Sequence, residues 1–328
     1  MLRGAQTSQS CEIGDGVLNV SKPAGWTSHD VVAKVRGLLR ESKIGHAGTL
    51  DPAATGVLPL LIGRGTRIAE YLLDWDKEYQ AVLRLGVTTD TQDATGATLA
   101  TCVLDGLTAD RIQQAASRFQ GRLMQIPPMY SAVKVRGVPL YKAARAGKSV
   151  MRKPREVTVY EIEVLEVNLP DVSLRVRCSK GTYIRTLCVD IGEVLGVGGH
   201  LLALERRRVG PLVLEQAVTL EDIARRSMTG RLAESLLSLD EALRTLPAVV
   251  VDQRTGQRVV HGAPVPLRGV MEWESPTGEP YRRGPVRIKD QAGRLLAIGA
   301  VPDRSGASGA FQDPAEIAVV VEKVLVEA

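Results

Sequence analysis

Residues 171–179 read DVSLRVRCS, in which Val172, Leu174, Val176 and Cys178 alternate with Ser173, Arg175, Arg177 and Ser179. A two-residue repeat puts the apolar side chains on one face of a strand and the polar ones on the other, as in a sheet with one covered side. Just upstream, REVTVYEIEVLEV at 155–167 is a second such strand. KEYQAVLRLGV, from Lys77, is a third, with Tyr79, Ala81, Leu83 and Leu85 on one face and Gln80, Val82 and Arg84 on the other. Long alternating strands interleaved with a few helices predict an α+β fold around a largely antiparallel sheet.

Working outward, GVLNVSKPAGWTSHDVVAKVRGLL at 16–39 gives a short apolar strand around Val17 to Val20, a Lys-Pro-Ala-Gly turn and a helix. Thr27 or Ser28 caps that helix, and Val31, Val32, Val35, Leu38 and Leu39 form its buried stripe. LPLLIGRGTRIAEYLL at 58–73 reads as strand, glycine turn and helix. A helix over 108–120 has Thr108 as cap and Ile112, Ala115, Ala116 and Phe119 facing inward. Helices at 184–196 and 219–226 are expected to cover the sheet.

Both ends of the chain differ from this texture. Residues 1–13 are polar and without periodicity, which predicts a disordered leader. After Leu246-Pro247 come short apolar runs punctuated by Gly and Pro, as in VVVDQRTGQRVVHGAPVPL. VRIKDQAGRLLAIGAV has the form of a hairpin around a Gln-Ala-Gly turn. The expected organisation is a main domain over 14–246 and a small β-rich domain over 247–328, with 268–285 (RGVMEWESPTGEPYRRGP) fitting no pattern.

Composition narrows the function. The 328 residues are 44% apolar and 24% charged, ordinary for a soluble globular protein, which sets disordered and fibrous classes aside. With no apolar run of the roughly 18 to 20 residues that span a bilayer and no secretory signal, the chain is expected to be cytoplasmic, without a membrane partner. Cys11, Cys102, Cys178 and Cys188 show no CxxC pairing and the four histidines are scattered, so no metal site or disulfide frame is suggested and the thiols are expected to be buried and reduced. The formal charge is +5, but its distribution says more. From Arg111 to Arg155 there is no Asp or Glu, while Arg118, Arg122, Lys134, Arg136, Lys142, Arg145, Lys148, Arg152 and Lys153 also lie in that stretch. Such one-sidedness predicts a surface that meets phosphates, with Tyr130 and Tyr141 able either to stack on bases or to pack.

The chain has no GxxxxGK[ST], no helix-opening GxGxxG, no HExxH and no GxSxG, so nucleotide hydrolysis, dinucleotide redox chemistry, zinc hydrolysis and serine acyl transfer lack support. What stands out instead is GHAGTLDPAATGVL at 45–58, where Asp51 is a lone acid among small residues. Pro52 holds Asp51 extended, and glycine and alanine neighbours let a planar ligand approach the carboxylate. Asp in Asp-Pro is also a common turn or helix cap. In SKGTYIRTLCVDIG at 179–192, Arg185 opens a helix with no local acid before Asp190. It is either a surface arginine or the partner of a remote carboxylate that it would keep ionised.

Taken together these stretches resemble the TruB family of pseudouridine synthases. GVLNVSKPAGWTSHDVV is similar to its first motif, GHAGTLDPAATGVLPL to the motif with the aspartate, and KEYQAVLRLGVTTDTQDATG to the strand with the active-site tyrosine. IPPMYSAVKVRGVPLYKAARAG resembles its RNA-binding insertion and CSKGTYIRTL its third motif, and the match runs from about residue 14 to 214. The resemblance implies the pseudouridine-synthase fold with a PUA-like C-terminal RNA-binding domain and an insertion at about 124–155. It makes Asp51 the nucleophile, Arg185 its ion-pair partner and Tyr79 the ring against the target base. Tyr183 and Leu204 would line the uracil pocket, His46 would fill the space left by the flipped nucleotide, and Lys22 would support the first motif. Asp93 matches a structural position. Phosphate contacts are expected from Lys134, Arg136, Lys142, Arg145, Arg206 and Arg207.

The activity implied is isomerisation of uridine 55 in the tRNA T-arm, without metal or cofactor, by a chain that acts alone and as a monomer. The reaction needs one ionised carboxylate, attacking C6 or C1′, in a pocket that holds the detached base after flipping. Alternatives are an RNA-binding or tRNA-folding factor indifferent to the acid, a guide-dependent synthase that needs protein partners, and a glycosidase. The last requires two carboxylates, and no second acid stands out beside Asp51.

Overall fold

The computed structural model describes residues 13–131, 133–135, 137–147, 150–276, 283–302 and 317–327. The expected leader lies, apart from Ile13, outside the described residues, as does Arg136. The alternating strands do pair: Asp171–Cys178 lies between Lys77–Leu85 and Arg155–Asn168 in a ten-stranded sheet. Its main path runs Leu236–Leu237, Gly16–Lys22, Thr55–Ile62, Gly199–Val209, Lys77–Leu85, Asp171–Cys178, Arg155–Asn168 and Gly121–Gln125. Every pairing along it is antiparallel except one. Thr55–Ile62 and Gly199–Val209 run parallel where Glu205 and Arg206 face Thr55 and Gly56.

Helices cover the two halves of the sheet separately. Ala109–Ser117, capped by Thr108, and Ile184–Leu195 seat Ile112, Leu187 and Ile191 on Leu83, Val172 and Leu174. Ser28–Leu39 is capped by Thr27, whose side chain and that of Asp30 satisfy each other's backbone N–H groups. With Leu220–Met228 it packs Val31, Val35 and Ile223 on Leu58 and Leu60. Leu50 and Ala54 belong to the first of these cores, whereas Leu58 and Leu60 belong to the second. The turn that holds Asp51 therefore sits at the seam between them.

The C-terminal region forms its own six-stranded sheet around Val249, Val286, Ile288 and Val319. The expected hairpin is there, Gly284–Lys289 with Leu295–Val301, turning at Gly293 with φ +79°. Residues 253–259, expected to be part of a run of short strands, are instead a helix. The Asp252 carboxylate caps it by accepting from Thr255 N at 2.7 Å, so a local side-chain bond outweighs the β preference of the valines. Within 268–285, Val270–Glu274 is a strand along Ala248–Val251, and 277–282 lies outside the described residues.

This region is docked on the main sheet. Ile298 and Leu325 share a core with Ile68, Leu72 and Leu239. Around it Lys323 pairs with Glu70 at 2.7 Å, Arg287 with Asp240 at 2.8 Å and Arg64 with Glu327 at 2.9 Å. Among the described residues no helix is long and apolar enough to cross a membrane. Cys178 and Cys188 are buried as expected, but Cys102 is exposed.

Candidate active site

Asp51 lies in the turn between Ile44–His46 and Thr55–Ile62, and each part of that turn is held from a different element. Ser28 Oγ accepts from Leu50 N at 2.9 Å. Pro52 O accepts from Lys22 Nζ at 3.1 Å and from Gly25 N at 2.9 Å. Lys22, fully buried, also donates to Pro23 O and Trp26 O, and burial pushes its ammonium down to about 8, with Asp51 pulling the other way. Lys22 thus latches the first loop to the Asp51 turn rather than reaching into the cleft.

Arg206 supplies the remaining support. It is 1% exposed and donates from Nη2 to Gly48 O at 3.0 Å, from Nη1 to Thr49 O at 3.4 Å and from Nε to Val57 O at 2.7 Å. This corrects the expectation of a phosphate contact, since a guanidinium sealed from solvent cannot meet an RNA backbone. The strand explains the error. Its pairing with Lys77–Leu85 shifts register between Leu201 and Ala203 and again between Arg206 and Arg208, so the Arg-Arg-Arg triplet does not read as one exposed turn. Arg207 is partly exposed but already bonds Glu205 at 2.8 Å and Glu215, and Arg208 pairs with Glu78 at 3.5 Å. Gly56 completes the fit: at φ +102° it lies so close to Arg206 that a Cβ would meet Arg206 O at 2.3 Å. Arg206→Met is expected to lower stability by about 2–4 kcal/mol, because the buried Val57 carbonyl and the part-buried Gly48 and Thr49 carbonyls lose a charged donor. Thermal melting measures this, and the salt dependence of RNA binding should stay unchanged, whereas loss of a phosphate contact would reduce its slope.

Arg185 reaches Asp51 from the opposite half of the fold. Its Nε lies 2.9 Å from Asp51 Oδ2 and its Nη2 donates to Oδ1 at 3.2 Å, a two-pronged contact that fixes the carboxylate's orientation. Nη2 also donates to Tyr130 O at 2.7 Å and Nη1 to Thr91 O at 3.3 Å, with Asp93 Oδ2 3.8 Å from Nη1. Of the two readings of Arg185, the remote ion pair is the one the fold adopts. Asp93, expected to be structural, does tie its own turn together, accepting from Thr91 Oγ1, Thr95 N and Thr95 Oγ1, and stands beside Arg185 as well.

Burial pushes the Asp51 carboxyl above the usual carboxylate range, with Arg185 pulling it back and Asp93 adding to the rise. A reaction that uses the ionised form loses rate as pH falls through that raised value. The acid limb of the single-turnover rate is therefore expected above the range of about 4 for a free aspartate, and a pH–rate profile measures it.

Asp51, Arg185, Tyr79, Tyr183 and Leu204 all line one cleft of about 480 Å³, a volume suited to a small planar ligand. Tyr79 is 8% exposed and faces Arg206 across the strand pair. Tyr183 stands at the start of Ile184–Leu195. His46 is not among the cleft-lining residues. It ends the Ile44–His46 strand that leads into the turn, and burial lowers its pKa. Lys142 is exposed on the Leu140–Arg145 helix, and Lys134 lies in a short strand pair with Val138–Pro139. Several lining residues were missed, among them Ser131, Glu156, Lys180 and Lys77, and Arg206 lines the cleft from the strand paired with that of Tyr79. Lys77, 6% exposed, donates to Leu73 O and Trp75 O. Its parity with Tyr79, Ala81 and Leu83 was the available signal.

Comparison with known proteins fits this geometry. A family model described as the TruB family pseudouridylate synthase N-terminal domain matches residues 36–184, and one described as the tRNA pseudouridylate synthase B C-terminal domain matches 185–247. The chain is 49% identical over 294 residues to tRNA pseudouridine synthase B of Ralstonia pickettii, covering 87% of this chain and 90% of that one. With the protein of the same name from Geotalea uraniireducens it shares 48% over 248 residues, 76% and 80% of the two chains. Among solved structures, Cbf5 in a Cbf5–Nop10–Gar1 complex superposes with a TM-score of 0.75 at 32% identity, covering 96% of this chain and 86% of that one. A two-pronged Arg185–Asp51 pair in a tyrosine-lined cleft, on a fold shared with Cbf5 and in a sequence nearly half identical to these enzymes, makes the chain a member of the TruB family of pseudouridine synthases.

Proposed function

We propose that this protein is a tRNA pseudouridine synthase that converts uridine 55 of the T-arm to pseudouridine, with Asp51 as the nucleophile. The observation that carries this reading is the Arg185 fork on both oxygens of Asp51 in the lining of the cleft. In the overall change the N1–C1′ bond breaks, C5 bonds to C1′, the C5 hydrogen leaves as a proton and N1 gains one. Atoms and electrons balance without an outside reductant, oxidant or donor. Asp51 supplies the carboxylate that attacks C6 or C1′, and Arg185 holds its rotamer and charge. Tyr79 stacks against the flipped base, and Tyr183 and Leu204 enclose it so that the detached uracil is retained. His46 fills the vacated place in the RNA.

The acid-free stretch supplies phosphate contacts through Lys134, Arg136, Lys142 and Arg145 of the insertion at 124–155, and the PUA-like domain at 247–328 adds RNA surface. The chain works alone and as a monomer in the cytoplasm. The test is to incubate purified protein with an unmodified T-arm stem-loop carrying tritium at uridine C5. Closing the C5–C1′ bond expels that hydrogen, so tritium is expected in the solvent. Strict dependence of release on added proteins would overturn the stand-alone reading, and free uracil in solution would indicate a glycosidase.

A further inference from the structure

Gln125 ends the Gly121–Gln125 strand at the edge of the large sheet and is 2% exposed. Both polar atoms of its amide engage one neighbour: Nε2 donates to Tyr183 O at 3.0 Å, and Tyr183 N donates to Oε1 at 2.7 Å. Tyr183 precedes the Ile184–Leu195 helix, which receives no side-chain cap from it. Burying an amide is favourable only where its donor and acceptor are both met, as they are here, so the pair has one geometry. That geometry fixes the chain two residues before Arg185. Five residues beyond Gln125, Tyr130 O accepts from Arg185 Nη2 at 2.7 Å. The segment 125–130 is thus fastened at both ends to residues 183–185, and the buried Ser131 follows directly into the cleft lining.

We propose that Gln125 is a positioning residue for the isomerisation. It seats Tyr183 and Arg185 against Asp51, and it ties the base of the RNA-gripping insertion to the ion pair that does the chemistry. This rests on the reading of the cleft as a pseudouridine synthase site. Gln125 touches no reacting atom, so its effect belongs in the rate of the bound complex rather than in RNA affinity.

Gln125→Met keeps the side-chain length and removes both hydrogen bonds, and Gln125→Ala removes the packing as well. At saturating T-arm RNA the single-turnover rate of tritium release is expected to fall about 10- to 100-fold in each, with RNA Kd changed less than about threefold. In the Arg185→Lys background, adding Gln125→Met is expected to cost less than about threefold, because both changes act on the same contact. An unchanged rate, a loss of affinity with the rate intact, or full multiplication of the two losses would overturn the proposal. So would a rate loss no larger than the loss of folded protein measured by near-UV circular dichroism. Wild-type protein in the same assay separates the two readings: no wild-type release sinks the function, while release from wild type and Gln125→Met alike sinks only the role of Gln125.

Discussion

Asp51→Asn is expected to abolish tritium release, a loss on the order of 10⁴-fold or more, because the amide is nearly isosteric but cannot act as a nucleophile. RNA affinity at fixed salt should change by less than about threefold, since phosphate contacts made elsewhere dominate it. Arg185 keeps its bonds to Tyr130 O and Thr91 O and has Asp93 at 3.8 Å, so the guanidinium is not left without partners when the Asp51 charge is removed. The variant should therefore fold, and melting temperature checks this. A variant that binds RNA normally yet still releases tritium would remove Asp51 from the chemistry. One that fails to bind would move the function toward RNA recognition itself.

Arg185→Met should act on both rate and stability. The Arg185 side chain is 5% exposed but the Asp51 side chain it would leave behind is 39% exposed, so solvent screens the uncompensated charge and the cost falls below the roughly 3–5 kcal/mol of a fully buried pair. Part of that cost is avoided because Asp51 can protonate. With the guanidinium gone, burial and Asp93 both push the carboxyl up and only Lys22 still pulls it down. Its pKa rises further, and the acid limb of the rate must move to higher pH than in wild type. At a pH well above that limb the remaining deficit reports lost orientation, expected to be roughly 10²-fold. Arg185→Lys keeps the charge and loses the fork, so it should restore most of the acid limb but little of the rate. A pH–rate profile of the three proteins separates charge from geometry.

The alternating strands were legible because a sheet covered on one face writes its period directly into the sequence, and Asp171–Cys178 and Lys77–Leu85 form as expected. Helix starts were legible where a threonine meets an amphipathic run, as at Thr27 and Thr108. The Asp51–Arg185 pairing was not written in the local sequence. It spans 134 residues and depends on two cores meeting at one seam, and only the family resemblance pointed to it. Arg206 was misread for the same reason. Three successive arginines look solvated until the parallel pairing at Gly56 and the register shift beside it turn one of them inward. Gln125 carries no signal at all in one dimension, because its partner is the backbone of a residue 58 positions away.

The docking of the C-terminal region bears on how this protein can be dissected. Ile298 and Leu325 cover Ile68 and Leu72, in the segment that leads through Trp75 into Lys77 and Tyr79. A chain cut at residue 247 would uncover that apolar surface and release the ion pairs of Arg64 and Glu70 with Glu327 and Lys323. It would not be the same enzyme minus a separable domain, but one whose cleft wall has lost its buttress. Swapping exposed side chains on the intact C-terminal sheet is the cleaner way to test whether that region contacts RNA.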